Sequence, residues 1–439
     1  MNTAAVFHPA VLHPAAPHLN RSVERLRGAL LWLTGFAGAI VMMEPSPYEI
    51  ASLLTIFVFV CTGLTLRPGL LPLFVLLLLY NTGFSIAVLQ ITDQSKPTTW
   101  VAISWYLSLT AIFFAAMLSQ NTEERLALLL RGTTVAALLA AVIAILSYFR
   151  LLGSASDLFL LYDRAHATFN DPNVLGAFLI LPSLLALQRI LNGRLGEVAR
   201  ASVLLGLFSI AVLLSFSRAA WGQLAGASAL LMFFTFVTSR SPAERLRIML
   251  IAIAAIMVIT LVLAAVLSLD RVAELFKERF ALEQSYDMGP LGRFGRYALG
   301  AEIALEHPLG IGPLQFQKLV PEDPHNTYLN TFLSGGWLTG MVYATLVLTT
   351  LVRGLAYVFV ATPWRKTYLA VYCAFVGTVV ESAIIDIDHW RHFFLIIGVV
   401  WGLMTVSQPY RRGRRLLRPL PHSPSKTGVN ALLLGKGIA

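Results

Sequence analysis

Long apolar runs alternate along the chain with short polar stretches, and this pattern predicts a bundle of membrane-spanning helices. A helix needs about 20 residues to cross a bilayer, and a lipid-exposed backbone must form its hydrogen bonds within its own segment. We therefore predict an all-α polytopic integral membrane protein. Its twelve expected spans cover residues 29–43, 48–66, 70–91, 99–119, 126–149, 172–189, 201–217, 219–238, 248–268, 327–352, 367–385 and 393–409.

The composition excludes the main alternatives to a membrane protein. Apolar residues make up 57% of the 439 residues and charged residues only 13%, whereas a soluble domain has about 25% charged residues. A water-soluble enzyme or a disordered scaffold would need more polar surface than this. Cys61 and Cys373 lie inside apolar runs, so we expect small core residues rather than a disulfide or a metal site.

The basic residues predict an orientation. A formal net charge of +10 could indicate nucleic-acid binding, but in a membrane protein basic residues more often hold the cytoplasmic loops in place. If the N-terminus is cytoplasmic, 22 of the 33 Lys and Arg residues fall in inside segments, and six of the other eleven lie in one long outer loop. We therefore predict two cytoplasmic termini and no nucleic-acid partner.

This topology divides the chain into five segments, and the outer loop is the informative one. Loops of such length tend to be functional. Within it we predict an amphipathic surface stretch from Asp270 to Glu283 and a helix from about Leu291 to Glu306, stopped by His307 and Pro308. The segments are a tail at 1–28, spans one to nine at 29–268, the outer loop at 269–326, spans ten to twelve at 327–409 and a basic tail at 410–439.

Three arginines on the outer side are candidate anion ligands. Arg218 lies between two spans with almost no loop around it, and an arginine near hydrocarbon costs free energy unless it meets an anion or snorkels to the interface. Arg293 and Arg296, in GRFGRYALG, share one face of a first helical turn, where backbone N–H groups also favour anions. The alternatives are a snorkelling Arg218 and a solvated basic face.

His325, in EDPHNTYLN immediately before the tenth span, is the candidate general base. A neutral imidazole accepts a proton near pH 7, and Asn326 beside it could orient the ring or bind a hydroxyl group. No second histidine or carboxylate stands at metal-ligand spacing from His325, so we expect no metal there. Alone it would more often be an interface histidine, and its candidacy depends on sharing the loop with the arginines.

The shorter outer loop at 150–171 supplies further candidates. Asp171 and Pro172 predict a helix start, with Asp at the N-cap and Pro at the first helical position. Arg164 and Asn173 are not explained in this way, and we expect them to border the same cavity as the other candidates.

Charged residues also crowd the outer turn between the last two spans. Asp386 and Asp388 could form an acid/base pair, or they could neutralise Arg391 or Arg218. Glu381 lies within a span, where an ionisable residue is a functional candidate by default, but no partner for it is evident.

Taken together, FSRAAW, GRFGRYALGAEIALEHPLGIGP and PHNTYLN resemble the O-antigen ligase and polymerase superfamily, and RAHATFNDPNVLG resembles an earlier motif of it. The resemblance covers roughly residues 160–345. It implies glycan transfer from an undecaprenyl-diphosphate carrier at the periplasmic face, without a metal or other cofactor. It also implies that His325 matches the catalytic histidine, and that Arg218, with one or both of Arg293 and Arg296, matches the diphosphate-binding arginines. Arg164, Asn173 and Asn326 are possible cavity residues.

The resemblance leaves the acceptor open. A single long outer loop favours a ligase that uses lipid A–core in the bacterial inner membrane. The alternatives are a polymerase that extends the glycan and a transferase that modifies protein hydroxyls. A transporter is the competing class; it would place ionisable groups at mid-bilayer, often on broken helices, whereas most spans here lack charges.

Overall fold

The computed structural model describes residues 21–267, 292–320 and 322–416. This part of the chain is all-α apart from one short antiparallel pair, β1 (Leu160–Leu161) and β2 (Arg164–Ala165). The helices are α1 (Arg21–Ala37), α2 (Pro47–Cys61), α3 (Leu71–Val88), α4 (Ser95–Met117), α5 (Thr122–Tyr148), α6 (Pro172–Phe178), α7 (Ile180–Asn192), α8 (Leu195–Leu214), α9 (Arg218–Thr238), α10 (Pro242–Leu267), α11 (Arg293–Glu306), α12 (Thr327–Val358), α13 (Arg365–Glu381), α14 (Arg391–Val406) and α15 (Gln408–Leu416).

The membrane class is confirmed. Seven helical segments among the described residues are long and apolar enough to cross a bilayer, and α2 and α14 are shorter apolar helices. The count of twelve spans and the cytoplasmic placement of the termini stay predictions. The seven segments are Pro68–Val88, Ser95–Met117, Thr122–Tyr148, Pro172–Asn192, Leu195–Leu214, Arg218–Thr238 and Thr327–Val358.

The predicted boundaries differ from the structure at both ends of the described chain. Helix α1 begins at Arg21, within the predicted tail, and α15 continues to Leu416, within the predicted basic tail. The predicted surface stretch from Asp270 to Glu283 lies outside the described residues. The predicted loop helix is confirmed as α11, which ends at Glu306 immediately before His307 and Pro308.

Small residues allow the first helices to pack closely. A side-chain carbon at Gly35 of α1 would come within 2.3 Å of the Leu129 carbonyl oxygen, and one at Gly132 of α5 within 2.1 Å of the Trp32 carbonyl oxygen. Only glycine fits at such a contact, which is how small residues bring helices together in a bilayer. At the centre of the bundle, α14 is buried along nearly its whole length and packs on α4.

Two helices on the outer side begin at side-chain caps. The Asp171 carboxylate accepts a hydrogen bond from the Asn173 N–H at 2.6 Å, and Pro172 is the first residue of α6, as predicted. At α12, the Asn326 side-chain oxygen accepts from the Leu329 N–H at 3.1 Å. Asn326 therefore serves as a helix cap.

Helix α12 is broken at Gly336, which has the left-handed φ of 71° that favours glycine. The outer segment enters this break: the Trp337 N–H donates to the Pro308 carbonyl at 2.9 Å, and the Ile311 N–H donates to the Leu333 carbonyl at 2.8 Å. These bonds satisfy backbone groups that the break would otherwise leave without partners. The first part of α12 and the end of the outer loop therefore form one unit.

Candidate functional site

His325 lies between two carboxylates at the start of α12. Its Nδ1 is 3.7 Å from Asp386 Oδ2, and its Nε2 is 3.7 Å from Glu322 Oε2. These distances are too long for hydrogen bonds but allow ion pairing once the ring is protonated. Spacing along the sequence did not indicate these neighbours, because folding brings Asp386 to His325 from a turn about sixty residues later in the chain.

Thr327, two residues after His325, bonds this segment to the turn between α13 and α14. The Thr327 N–H donates to the Ser382 carbonyl at 2.8 Å. The Thr327 hydroxyl donates to the Ile385 carbonyl at 2.9 Å and accepts from the Ile387 N–H at 2.8 Å. Thr327 is fully buried, so these bonds form away from water. The start of α12 and the turn between α13 and α14 are thereby joined.

The turn carries two aspartates with different surroundings. Asp388 is buried and accepts from the Asn330 side-chain amide at 3.1 Å, and Asn330 in turn accepts from Ser334 at 3.1 Å. Asp386 has two buried oxygens without a hydrogen bond of normal geometry. Burial, together with the charges of Asp388 and Asp323, raises the pKa of Asp386 well above its usual range. The pKa of Asp323 is also raised, chiefly by burial.

Arg296 is directed toward the same loop. Its side chain is only 4% exposed, and its NH1 group lies 2.8 Å from Glu322 Oε2 and donates to the Asp323 carbonyl at 3.0 Å. Its buried Nε has no acceptor within the described part of the chain. The solvated basic face considered from the sequence is therefore wrong for Arg296. Arg293 is the first residue of α11 and so lies in its first turn, as predicted, although the helix starts two residues later than expected; the side chain of Arg293 lies outside the described part of the structure.

A second group of candidates meets at the turn between α8 and α9. Arg164 donates from Nε to the Ser215 carbonyl at 2.8 Å and from NH2 to the Asn173 side-chain oxygen at 2.9 Å. Three residues after Ser215, Arg218 begins α9, and Ser217 caps that helix. The structure thus brings Arg164 and Asn173 together beside the turn that carries the half-buried Arg218.

The packing of α9 on α13 places both groups at one end of the bundle. The side-chain amide of Gln223, in the second turn of α9, lies 2.9 Å from the Thr378 hydroxyl, in the last turn of α13. The residue that follows α13 is Ser382, whose carbonyl holds Thr327. The starts of α9 and α12 are therefore neighbours of the same end of α13. Arg218 and His325 belong to these two starts.

The buried Glu381 and the partly buried Arg391 have partners that the sequence did not indicate. With its nitrogen turned toward Glu381, the Gln223 amide donates to Glu381 Oε2 at 2.7 Å and accepts from the Thr378 N–H at 3.0 Å. Arg391 pairs with Glu49 at 2.6 Å and with Glu44 at 3.2 Å. Asp386 and Asp388 are therefore not the neutralising partners of Arg391, because carboxylates at the start of α2 take that position.

Cysteine, histidine and carboxylate side chains of the described residues do not form any group of three or more that could hold a metal ion. The residues that could instead act on a substrate are a base, His325, with carboxylates beside it, and arginines on the neighbouring helix starts. Such an arrangement can take a proton from a hydroxyl while cations bind an anionic group.

The O-antigen ligase family profile matches residues 202–344, which include Arg218, Arg293, Arg296 and His325. This segment belongs to the O-antigen ligase superfamily. The resemblance inferred from the motifs is thereby confirmed for about a third of the chain. A search of curated proteins gave no match. The family and the apolar helices identify a multi-pass membrane protein of the O-antigen ligase and polymerase type, a class of glycan transferases.

Proposed function

We propose that this protein transfers a glycan from an undecaprenyl-diphosphate carrier to an acceptor hydroxyl of lipid A–core. The reaction takes place at the periplasmic face of the bacterial inner membrane and needs no metal. One observation carries the proposal: the His325 imidazole stands between Asp386 and Glu322, at the end of the bundle where Arg218 begins α9.

His325 is the general base of the proposed reaction. As the acceptor oxygen attacks the sugar, the imidazole takes the hydroxyl proton and becomes positively charged. The Glu322 carboxylate, 3.7 Å from Nε2, stabilises this imidazolium, and Asp386, 3.7 Å from Nδ1, does so in its ionised form, above its raised pKa. Hydrogen bonds at such sites are often long without substrate and tighten when the substrate binds.

Arg218 and Arg293 bind the diphosphate in this proposal. The leaving group is a lipid diphosphate carrying about two negative charges, and fixed guanidinium groups stabilise it as the glycosidic bond breaks. Arg296 is the weaker candidate because Glu322 already neutralises it. Arg164 and Asn173 shape the turn that presents Arg218, and the Asn326 oxygen is engaged in capping α12.

The proposed reaction predicts the stereochemistry of the product. In a single displacement, a hydroxyl activated by His325 attacks the anomeric carbon from the side opposite the departing diphosphate. A single displacement of this kind inverts the anomeric centre. The configuration of the product, measured by NMR against that of the donor, tests this step.

The break in α12 favours a transporter, since transporters often bind their substrates at broken helices. Here, however, the break at Gly336 accepts the outer segment itself: Pro308 and Ile311 bond to the backbone beside it. The charged residues instead gather at the helix start, around His325. Transport is therefore the second candidate function, after glycan transfer.

A transfer assay with competing acceptors tests the proposal. The purified protein, reconstituted in lipid vesicles, is given an undecaprenyl-diphosphate glycan with lipid A–core, free glycan and a hydroxyl-bearing protein together. We expect the product on lipid A–core, unchanged by a chelator. Lengthened glycan would indicate the polymerase, and modified protein would indicate the protein transferase. Donor that crosses the bilayer without any transfer would indicate a transporter, and activity restored only by a divalent ion would contradict the metal-free reaction.

A further inference from the structure

Two consecutive residues of the outer helix α11 contact the short segment that carries His325. Arg296 binds the Glu322 carboxylate at 2.8 Å and the Asp323 carbonyl at 3.0 Å. The Tyr297 hydroxyl lies 3.2 Å from the His325 carbonyl oxygen and 3.4 Å from the Ala383 carbonyl oxygen. The outer helix therefore holds residues 322–325 from one side, and Thr327 fastens the chain to the 382–388 turn on the other.

The backbone of His325 needs such support. Its φ is 52°, in the left-handed region, which an L-residue with a side chain adopts only at a cost in free energy. Conformations of this kind persist where the surroundings over-determine them. The carbonyl of the strained residue itself is the group that Tyr297 contacts.

Helix α11 is fixed firmly enough to act as a support. The Trp337 indole N–H donates to the Ala304 carbonyl at 2.8 Å, and a side-chain carbon at Gly300 would lie 3.0 Å from Leu329. The end of the outer segment is bonded into the Gly336 break. Helix α11 and His325 are thus both attached to α12.

We propose that Arg296 and Tyr297 are positioning residues, which set the orientation of His325 and do not bind the diphosphate. This inference rests on the proposed function, in which His325 is the base. It assigns different roles to two arginines three residues apart: Arg293 acts on the donor, whereas Arg296 acts through the loop.

The first test removes a single oxygen. Tyr297→Phe keeps the ring and loses the hydroxyl that reaches the His325 carbonyl, so we expect kcat to fall about tenfold while KM for the lipid-diphosphate donor stays unchanged. The matched control is Tyr372→Phe, which removes a hydroxyl bonded to the Leu351 carbonyl at 2.7 Å in another part of the bundle. Wild-type kcat in Tyr297→Phe would overturn the inference.

The second test compares the two arginines. Arg296→Gln should lower kcat with little change in donor KM, whereas Arg293→Gln should raise donor KM about tenfold or more. A rise in donor KM of equal size in both variants would make Arg296 a diphosphate ligand. Arg296→Lys, which keeps the charge beside Glu322, should recover part of the lost kcat.

A third measurement does not use activity. Amide hydrogen exchange in residues 322–330, followed by mass spectrometry on the full-length protein, should be faster in Tyr297→Phe than in wild type or Tyr372→Phe. An unchanged exchange rate would contradict the inference that Tyr297 stabilises the segment that carries His325. Failure of the proposed function would look different: His325→Ala would retain full transfer, or the wild-type protein would transfer nothing, whatever the exchange rates.

Discussion

The two ends of the bundle differ in how completely their buried charged side chains are hydrogen-bonded. At the end away from the candidate site, Arg27 and Arg125 share the carboxylate of Glu24, and both guanidinium groups lie over the Phe59 ring, at 4.7 and 5.1 Å. Every side-chain nitrogen of the two arginines has an acceptor. The two guanidinium groups share one carboxylate, but all their nitrogens have acceptors, and the cluster joins α1, α2 and α5.

At the site end, compensation is incomplete. Within the described residues, buried side-chain atoms of Arg296, Glu381 and Asp386 lack a hydrogen bond of normal geometry, and these three are the only Asp, Glu, Lys or Arg residues in that condition. Buried polar groups without partners are rare in folded proteins and cluster where a substrate or a proton completes the set. The difference indicates that one end of the bundle serves stability and the other serves chemistry.

The largest expected effect comes from removing the base. His325→Ala should lower transfer from the lipid-diphosphate donor by about 10³-fold, because a positioned general base contributes roughly 10²–10⁴-fold. The unfolding midpoint in detergent should stay near that of wild type, since the imidazole is 39% exposed and lies 3.7 Å from Glu322 and Asp386. Transfer at the wild-type rate would remove histidine from the reaction.

Replacing the arginine at the start of α9 should have the next largest effect. Arg218→Lys keeps the charge but loses the planar fork that binds phosphate through two hydrogen bonds, so we expect about a 100-fold loss of kcat/KM. The control is Arg150→Lys, at an exposed ion pair with Asp157 in the 150–171 loop. If both variants keep full activity, Arg218 only marks the interface.

The sequence predicted the elements of the site better than their contacts. Apolar periodicity, the Asp171–Pro172 start and the His307–Pro308 stop are local signals, so α6 and α11 were placed correctly. His325 and Arg218 were found because each is a polar residue at the edge of an apolar run. Local signals of this kind depend on residues only a few positions apart.

The partners of these residues could not be predicted, because they come from distant parts of the chain. Asp386 reaches His325 only through the packing of α13 beside α12, and Glu49 reaches Arg391 across more than 300 residues of sequence. The DIDH sequence at 386–389 marked these aspartates as candidates, but it did not indicate which histidine or arginine they contact. Tyr297 gave no signal beyond its place next to Arg296.

At the end of the bundle that carries Glu24, a substitution should change the stability of the protein but not its activity. Glu24→Gln leaves Arg27 and Arg125 facing each other without a carboxylate, so we expect the unfolding midpoint in detergent to fall by about 5 °C. Activity per folded molecule should not change, because Glu24 lies at the other end of the bundle. Asp157→Asn, at the exposed pair with Arg150, is the control and should leave the midpoint unchanged. A loss of specific activity in Glu24→Gln would show that the two ends are coupled.

The smallest effect should be a pH-dependent gain in stability when Asp386 is made neutral. Burial and the charges of Asp388 and Asp323 raise the pKa of Asp386, so the folded protein keeps this proton at pH values where the unfolded chain, with a pKa of about 3.9, has released it. Wild-type stability therefore falls as the pH rises from about 4 through the raised pKa.

Asp386→Asn cannot ionise, so its unfolding midpoint should exceed that of wild type by about 3 °C at pH 8 and by less at pH 5. Thermal unfolding of both proteins in detergent across this range measures the difference, with the exposed Asp157→Asn as control. Transfer activity should fall at pH values where the wild-type Asp386 is ionised, because the neutral amide does not stabilise a protonated His325. A midpoint difference that is constant with pH would mean that Asp386 is ionised as easily in the folded protein as in the unfolded chain, and that the site end tolerates its charge as well as the other end does.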